Sequence, residues 1–140
     1  MSQYDQGLER QAANHQPMTP ISYLQRAALI HPDHIAVIHG LQRHSYARLW
    51  ADCRRLASAL AARGIGRGDT VSVLLSNTPP MIQAHFGVPM AGGAVLHSLN
   101  TRSDPATVAF QMDHAETRVL IVDREFSALA AEALAQARVQ

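Results

Sequence analysis

A chain of 140 residues with 47% hydrophobic and 16% charged side chains is long enough for one domain burying about 70% of its unfolded surface, and too apolar for a disordered or fibrous protein. Its net charge of +1, with no basic run interleaved with aromatics, gives no electrostatic case for a nucleic-acid partner. All 12 basic residues are arginines, which excludes from this chain a Schiff-base lysine, a phosphate-loop lysine and any lysine-dependent adenylation step.

Cys53 is the single cysteine, so no internal disulfide can form and a reducing compartment is expected. It falls on an apolar helix face, where a core thiol is a plainer reading than a nucleophile. No apolar run approaches the ~20 residues needed to span a bilayer, and the N-terminus lacks the charged-then-apolar layout of a signal peptide. The expected compartment is the cytoplasm.

Residues 1–18 are polar and glutamine-rich without an apolar period, and are expected to form a disordered tail. Residues 19–140 carry the folded unit. Thr19-Pro20 reads as an N-cap followed by a first-turn proline, opening a short helix with Ile21, Leu24, Ala27 and Ala28 on one face and a stop before Pro32. Ile35 to His39 reads as a strand. Gly40-Leu41 suits a type II′ hairpin turn, after which Gln42 to Ser45 returns antiparallel.

Residues 45–77 organise the rest. Tyr46, Leu49, Trp50, Cys53, Leu56, Ala57, Leu60 and Ala61 recur at helical spacing, while Arg48, Asp52, Arg54, Arg55 and Ser58 fall on the opposite face. Ser45 can cap the first turn, and Arg63 suits the negative end of the helix dipole. Gly64 sits where a left-handed residue ends a helix, with Ile65 folding back on Leu60. Gly66-Arg67-Gly68-Asp69 then turns the chain into Val71-Ser72-Val73-Leu74-Leu75, a strand covered on both faces.

Thr78-Pro79 repeats the cap-and-proline pattern before a helix faced by Met81, Ile82, Phe86 and Met90, which Pro89 should kink or end early. Gly92-Gly93 releases a second apolar strand, Ala94-Val95-Leu96-His97. Asp104-Pro105 opens a helix with Val108, Ala109 and Met112 inward. Arg118 to Val122 is a third buried strand, and from Phe126 the residues Leu129, Ala130, Ala133, Leu134 and Ala137 form a last helical stripe. The fold class is therefore α/β: an N-terminal helix and β-hairpin, then a three-stranded parallel βαβαβα unit, the first part of a larger doubly wound fold.

The glycines at 64, 66 and 68 follow a helix and precede a strand, the reverse of a phosphate cradle, so they read as cap and turn. His31 and His34 flank Pro32-Asp33 in a turn without a third ligand, and His39 and His44 read as a surface cross-strand pair; a metal site is not expected. His97-Ser98-Leu99-Asn100-Thr101-Arg102 follows a strand at the carboxyl edge where open α/β sheets bind ligands, and is the best functional candidate. Its bland counterpart has Asn100 and Thr101 satisfying turn amides and Arg102 making a surface ion pair. The residues alone stop at a parallel α/β domain without a visible catalytic set.

Pro32-Asp33-His34-Ile35-Ala36-Val37, Ser45-Tyr46-Ala47-Arg48-Leu49, Gly64 to Val71 and Asn77, in that order, resemble the opening of AMP-forming acyl-CoA synthetases. His85-Phe86-Gly87-Val88-Pro89-Met90-Ala91-Gly92 and Leu99-Asn100-Thr101-Arg102 are similar to the branch of medium- or long-chain fatty acid–CoA ligases. The resemblance covers residues 19–126, and departs at Arg48, where the family commonly has glutamate. It implies an enzyme that joins a carboxylic acid to ATP, releases pyrophosphate, and passes the acyl group from AMP to coenzyme A with Mg²⁺ assistance. The family's phosphate loop and its lysine, the aromatic-and-glutamate motif, the ribose aspartate and the C-terminal-domain lysine all lie downstream of the matched region. No catalytic, cofactor-binding or metal residue is therefore assigned here, and no cofactor is expected to be held by this chain.

The expectation is an incomplete N-terminal α/β subdomain over residues 19–140, a fragment of a fatty acid–CoA ligase inactive by itself, with partners in the missing remainder or in self-association through an open sheet edge. The competing readings are a non-catalytic truncated paralogue acting as an interaction module, and a small flavodoxin-like nucleotide binder.

Overall fold

The computed structural model describes Gly7, Gln11, Ala13, His15 and residues 18–139. Most of the tail expected over residues 1–18 falls outside the described residues. Helix α1 spans Pro20–Ile30 after the extended Thr19. Thr19 makes no side-chain cap; instead Ser22 donates its hydroxyl back to the Thr19 carbonyl at 2.8 Å.

Strands β1 (Ile35–His39) and β2 (Gln42–Ser45) form an antiparallel hairpin. Its turn has a positive φ at Gly40 and none at Leu41, as a type II′ turn requires. The pairing sets Val37 opposite His44 and His39 opposite Gln42, so the two histidines are not the surface pair expected. His44 is instead buried, because it shares the inward face of the hairpin with Val37.

Helix α2 (Tyr46–Ala61) follows at once, with the Ser45 hydroxyl accepting from the Arg48 amide. Gly64 takes a left-handed φ of 75°, the Ile65 amide returns to the Leu60 carbonyl at 3.1 Å, and both apolar side chains are buried. This is the expected Schellman ending. Arg63 donates to the Ala59 carbonyl, at the negative end of the helix. The stripe is shorter than expected, since Ala61 is exposed.

Strands β3 (Thr70–Leu74), β4 (Val95–Ser98) and β5 (Thr117–Val122) form a separate parallel sheet in the order β4-β3-β5. Every residue of β3 is buried. The outer strands differ from the expectation of three equally buried strands: Val95 is 48% exposed and β5 is mostly half-buried. An apolar run reports affinity for a sheet, not position within it.

Helix α3 (Pro79–Met90) passes through Pro89 and ends one residue later, so the proline forfeits one intrahelical hydrogen bond and the helix stops close behind it. Its cap residue Thr78 gives its hydroxyl to the Ser76 carbonyl and makes no helix cap. Ala84 and Val88 enter the core between α2 and the sheet with Val71 and Val73, while Phe86 and Met90 pack against Leu24, Val37, Leu49 and Cys53. The helix is thus contacted on two sides, and the single stripe expected from Met81, Ile82, Phe86 and Met90 does not describe it.

Helix α4 (Pro105–His114) is capped by Asp104, which accepts from the Thr107 amide. One 3₁₀ turn, Arg124–Phe126, leads into α5 (Ser127–Leu134). Met112, Val108, Ala130 and Ala133 cover the second face of the sheet around Leu74. Leu134, expected inward, is 49% exposed.

Candidate functional site

Because all three sheet strands are parallel, their carboxyl ends share one edge of the sheet. Three loops meet there: Leu75 to Thr78 after β3, Leu99 to Ser103 after β4, and Asp123 to Glu125 after β5. The pairing continues briefly past the strands, through Leu99 N–H to the Val73 carbonyl and Asp123 N–H to the Leu74 carbonyl, both at 2.9 Å. The Ser76 hydroxyl bonds the Glu125 carboxylate across the edge.

The segment from His97 to Arg102 divides into unlike parts. His97 and Ser98 belong to β4 itself, and Leu99 is buried. Asn100 accepts the Arg102 amide on its side-chain oxygen at 3.0 Å, and its carbonyl accepts the Ser103 amide. This is an Asx turn, the bland role expected for it. The ion pair expected of Arg102 is absent among the described residues, leaving an exposed guanidinium at the carboxyl edge. Chemically this edge can hydrogen-bond a polar or anionic group, and the hydroxyl–carboxylate pair it carries, Ser76 with Glu125, is exposed to solvent.

A serine–histidine contact does occur, inside the sheet. The Ser72 hydroxyl lies 2.9 Å from His97 Nδ1 and 2.6 Å from the Thr117 hydroxyl. Ser72 is wholly buried and no carboxylate among the described residues is bonded to the set, so the three form a structural chain of hydrogen bonds across β4, β3 and β5. Burial pushes the His97 imidazole below its ordinary pKa, and His114 adds repulsion.

The glycine turn before β3 holds its own anion. Asp69 accepts the Gly66 amide on one oxygen at 2.8 Å and Arg118 on the other at 2.8 Å. Those bonds, that to Arg118 foremost, hold the Asp69 carboxyl below the usual range. With a resident carboxylate on its amide and no lysine beside it, this turn does not fit a nucleotide phosphate. Among the described residues no three His, Cys, Asp or Glu side chains gather to hold a metal ion.

Two features escaped the sequence. Asp52, placed on the outer face of α2 by its spacing, has a side chain only 11% exposed. It accepts Gln83 of α3 at 3.1 Å and Arg55, and faces His44 Nδ1 at 3.9 Å and Arg48 at 3.8 Å. The only sequence signal was a carboxylate one residue from the buried Cys53. That thiol is pushed up to about 11 by burial first and by Asp52 second, which suits the core role expected of it. The other feature is an apolar groove of about 680 Å³ between α1, the hairpin, α2 and α3, lined by Tyr23, Leu24, Val37, Tyr46, Leu49 and Phe86 among others.

Comparison with known proteins assigns this arrangement a place. The profile of the family described as "AMP-binding enzyme" matches residues 24–140. The chain is 48% identical over 122 residues to the peroxisomal acetate/butyrate–CoA ligase AAE7 of Arabidopsis thaliana, covering 87% of this chain and 21% of that protein. It is 43% identical over 127 residues to the acetate–CoA ligase CCL3 of Humulus lupulus, covering 91% and 22%. The crystal structure of the N-terminal domain of FACL13 from Mycobacterium tuberculosis superposes with a TM-score of 0.79 at 28% identity, over 87% of this chain and 32% of that one. The chain thus spans about a fifth of the length of these curated relatives.

Proposed function

This chain belongs to the AMP-binding enzyme family as an N-terminal part of an AMP-forming acyl-CoA synthetase, and from that premise we propose that it is the scaffold of a carboxylic acid–CoA ligase whose reacting side chains lie outside it. The observation that carries this reading is the family match over residues 24–140, set beside the absence of any lysine in the sequence. The proposed reaction joins an aliphatic acid to ATP and then to coenzyme A, with AMP and pyrophosphate as products. The resemblance of the sequence implies a medium- or long-chain fatty acid, whereas the names of the two plant relatives favour acetate or butyrate; we take the acid to be a short fatty acid.

In this reading the 140 residues alone are inactive, hold neither ATP, coenzyme A nor Mg²⁺, and supply no catalytic residue. Mixing the chain with ATP, Mg²⁺ and butyrate, then octanoate, should release no pyrophosphate above a protein-free blank. Release that depends on the acid would overturn the proposal. Residues 19–140 are read as one incomplete subdomain, and limited proteolysis should leave them as a single protected core.

No helix among the described residues is long and apolar enough to cross a membrane, and we propose the cytoplasm as the compartment. The relative named as peroxisomal offers the alternative, decided by imaging a tagged full-length protein. Self-association is the second reading of the isolated chain. It is favoured by the outer edges of β4 and β5, which pair with no further strand among the described residues. Sedimentation at high concentration should show dimers or larger species; a strictly monomeric profile rejects it.

A further inference from the structure

The parallel sheet has two lateral edges, the outer sides of β4 and β5, and no strand among the described residues pairs with either. The two edge strands differ in character. β4 carries His97 and Ser98, and its Val95 is 48% exposed. β5 ends in Val119-Leu120-Ile121-Val122, aliphatic throughout and half-buried, and its one charge, Arg118, already pairs with Asp69. Val119 and Ile121 pack towards α2 and α3 on one face, Leu120 and Val122 towards α4 and α5 on the other. A strand apolar on both faces belongs between neighbours in a parallel sheet, whereas a lasting edge is blunted by charge or proline.

The connections select the same edge. α3 leads from β3 to β4 across the face it shares with α2, and α4 leads back past β3 to β5 across the opposite face. Opposite directions on opposite faces make two crossovers of one hand, as parallel sheets require. α5 leaves β5 on the face of α4, packing Ala130 and Ala133 beside Val108 and Met112. A third crossover of that hand on that face steps outward, past β5 and away from β3. Asp113, at the end of α4, accepts the amides of Arg138 at 2.7 Å and Val139 at 3.0 Å. The chain leaving α5 is thereby held near the amino ends of the strands, where a strand parallel to β5 has to start.

We propose that the outer edge of β5 is a strand acceptor, filled in the whole synthetase by the first strand after α5, running parallel to β5. This rests on the family reading above and adds which edge the remainder joins and by which segment. The Asp123 amide reaches the Leu74 carbonyl of β3 at 2.9 Å. Strand alternation then turns the Ile121 amide towards β3 and the Leu120 and Val122 amides outward, to donate to the added strand.

Amide hydrogen exchange in three chains tests the assignment. The first is the 140-residue chain, at a concentration where it sediments as a monomer. The second carries in addition the next stretch of the Arabidopsis acetate/butyrate–CoA ligase beyond its matched region, about 40 residues, room for a loop and a strand. The third is a full-length chimera in which this chain replaces the matched 122 residues of that ligase. In the first chain Leu120 and Val122 should exchange roughly tenfold or more faster than Ile121. In the second and third all three should be slow. Leu120 and Val122 equally fast in every chain, with the chimera forming butyryl-CoA, would overturn the inference and leave the family reading standing. Slowing seen only in the full-length chimera would overturn it too, since a remote segment would then be the occupant. A chimera that neither folds nor forms butyryl-CoA would instead sink the family-unit reading, and this inference with it.

Discussion

Gly87 of α3 lies against Leu56 of α2 so closely that a Cβ at position 87 would sit 2.8 Å from the Leu56 Cδ2 atom and 3.0 Å from the Cys53 carbonyl oxygen. The leucine methyl could swing aside; the backbone carbonyl could not without moving the helix. Two effects oppose each other in Gly87→Ala. Alanine favours a helix by about 1 kcal/mol over glycine, while overpacking a tight contact costs about 1–3 kcal/mol. The backbone contact decides in favour of destabilisation. Urea unfolding of Gly87→Ala should show a lower midpoint with an unchanged slope; a raised midpoint would show that the helices separate freely.

Asp52 joins three elements through His44, Gln83 and its own helix. Asp52→Ala leaves the Gln83 amide without its acceptor and His44 without its facing carboxylate, in a site where water enters poorly. A loss of about 1–3 kcal/mol is expected. Arg55→Ala, by contrast, removes a side chain that is 73% exposed, and should cost well under 1 kcal/mol. A double-mutant cycle of Asp52→Ala with Gln83→Ala should show coupling. Strict additivity would mean that the hub does not link α2 to α3.

The His97 imidazole is held below its ordinary pKa by burial and by His114. The folded chain therefore binds fewer protons here than the unfolded chain, and stability rises with pH through this group. Its contribution is complete above the unfolded histidine value of about 6.5 and is lost as pH falls below it. His97→Asn should flatten the stability profile between neutral and mildly acidic pH. Asp69 and Asp104, whose carboxyls are lowered chiefly by Arg118 and Thr107, act in the same direction in a more acidic window. Their contribution is present above about 4 and disappears below it. A profile of His97→Asn identical to the parent over mildly acidic pH would refute the assignment.

Cys53 is buried, with its thiol raised to about 11. At pH 8 the thiolate is then on the order of 0.1% of the population, far below that of a free cysteine. A thiol reagent should label the folded chain only at the rate of its opening, and urea should bring labelling to the rate of a free thiol. Fast labelling without denaturant would place Cys53 at a surface.

The features legible in the sequence are those decided within a few residues. Ser45 and Asp104 cap their helices, Gly64 ends α2, and the apolar runs become β3, β4 and β5, because caps, turns and periodicity depend on neighbours along the chain. Even so, Thr19 and Thr78 carry the same cap-and-proline pattern as Asp104 and make no side-chain cap. For Thr78 a nearby backbone carbonyl takes the hydroxyl first.

The strand expected between neighbours, Val71 to Leu75, does lie in the middle of the sheet; tertiary structure decided how little of β4 and β5 is covered, which face of α3 met which neighbour, and why Asp52 and His44 turned inward. Periodicity places a side chain on a face of its own element, but burial depends on what packs against that face. Residues such as His44 and Asp52, or Ser72 and His97, meet across elements distant in sequence, and no local pattern records the encounter. The candidate edge was found from strand order alone; that Asn100 is spent on its own turn while Arg102 stands free needed the folded loop.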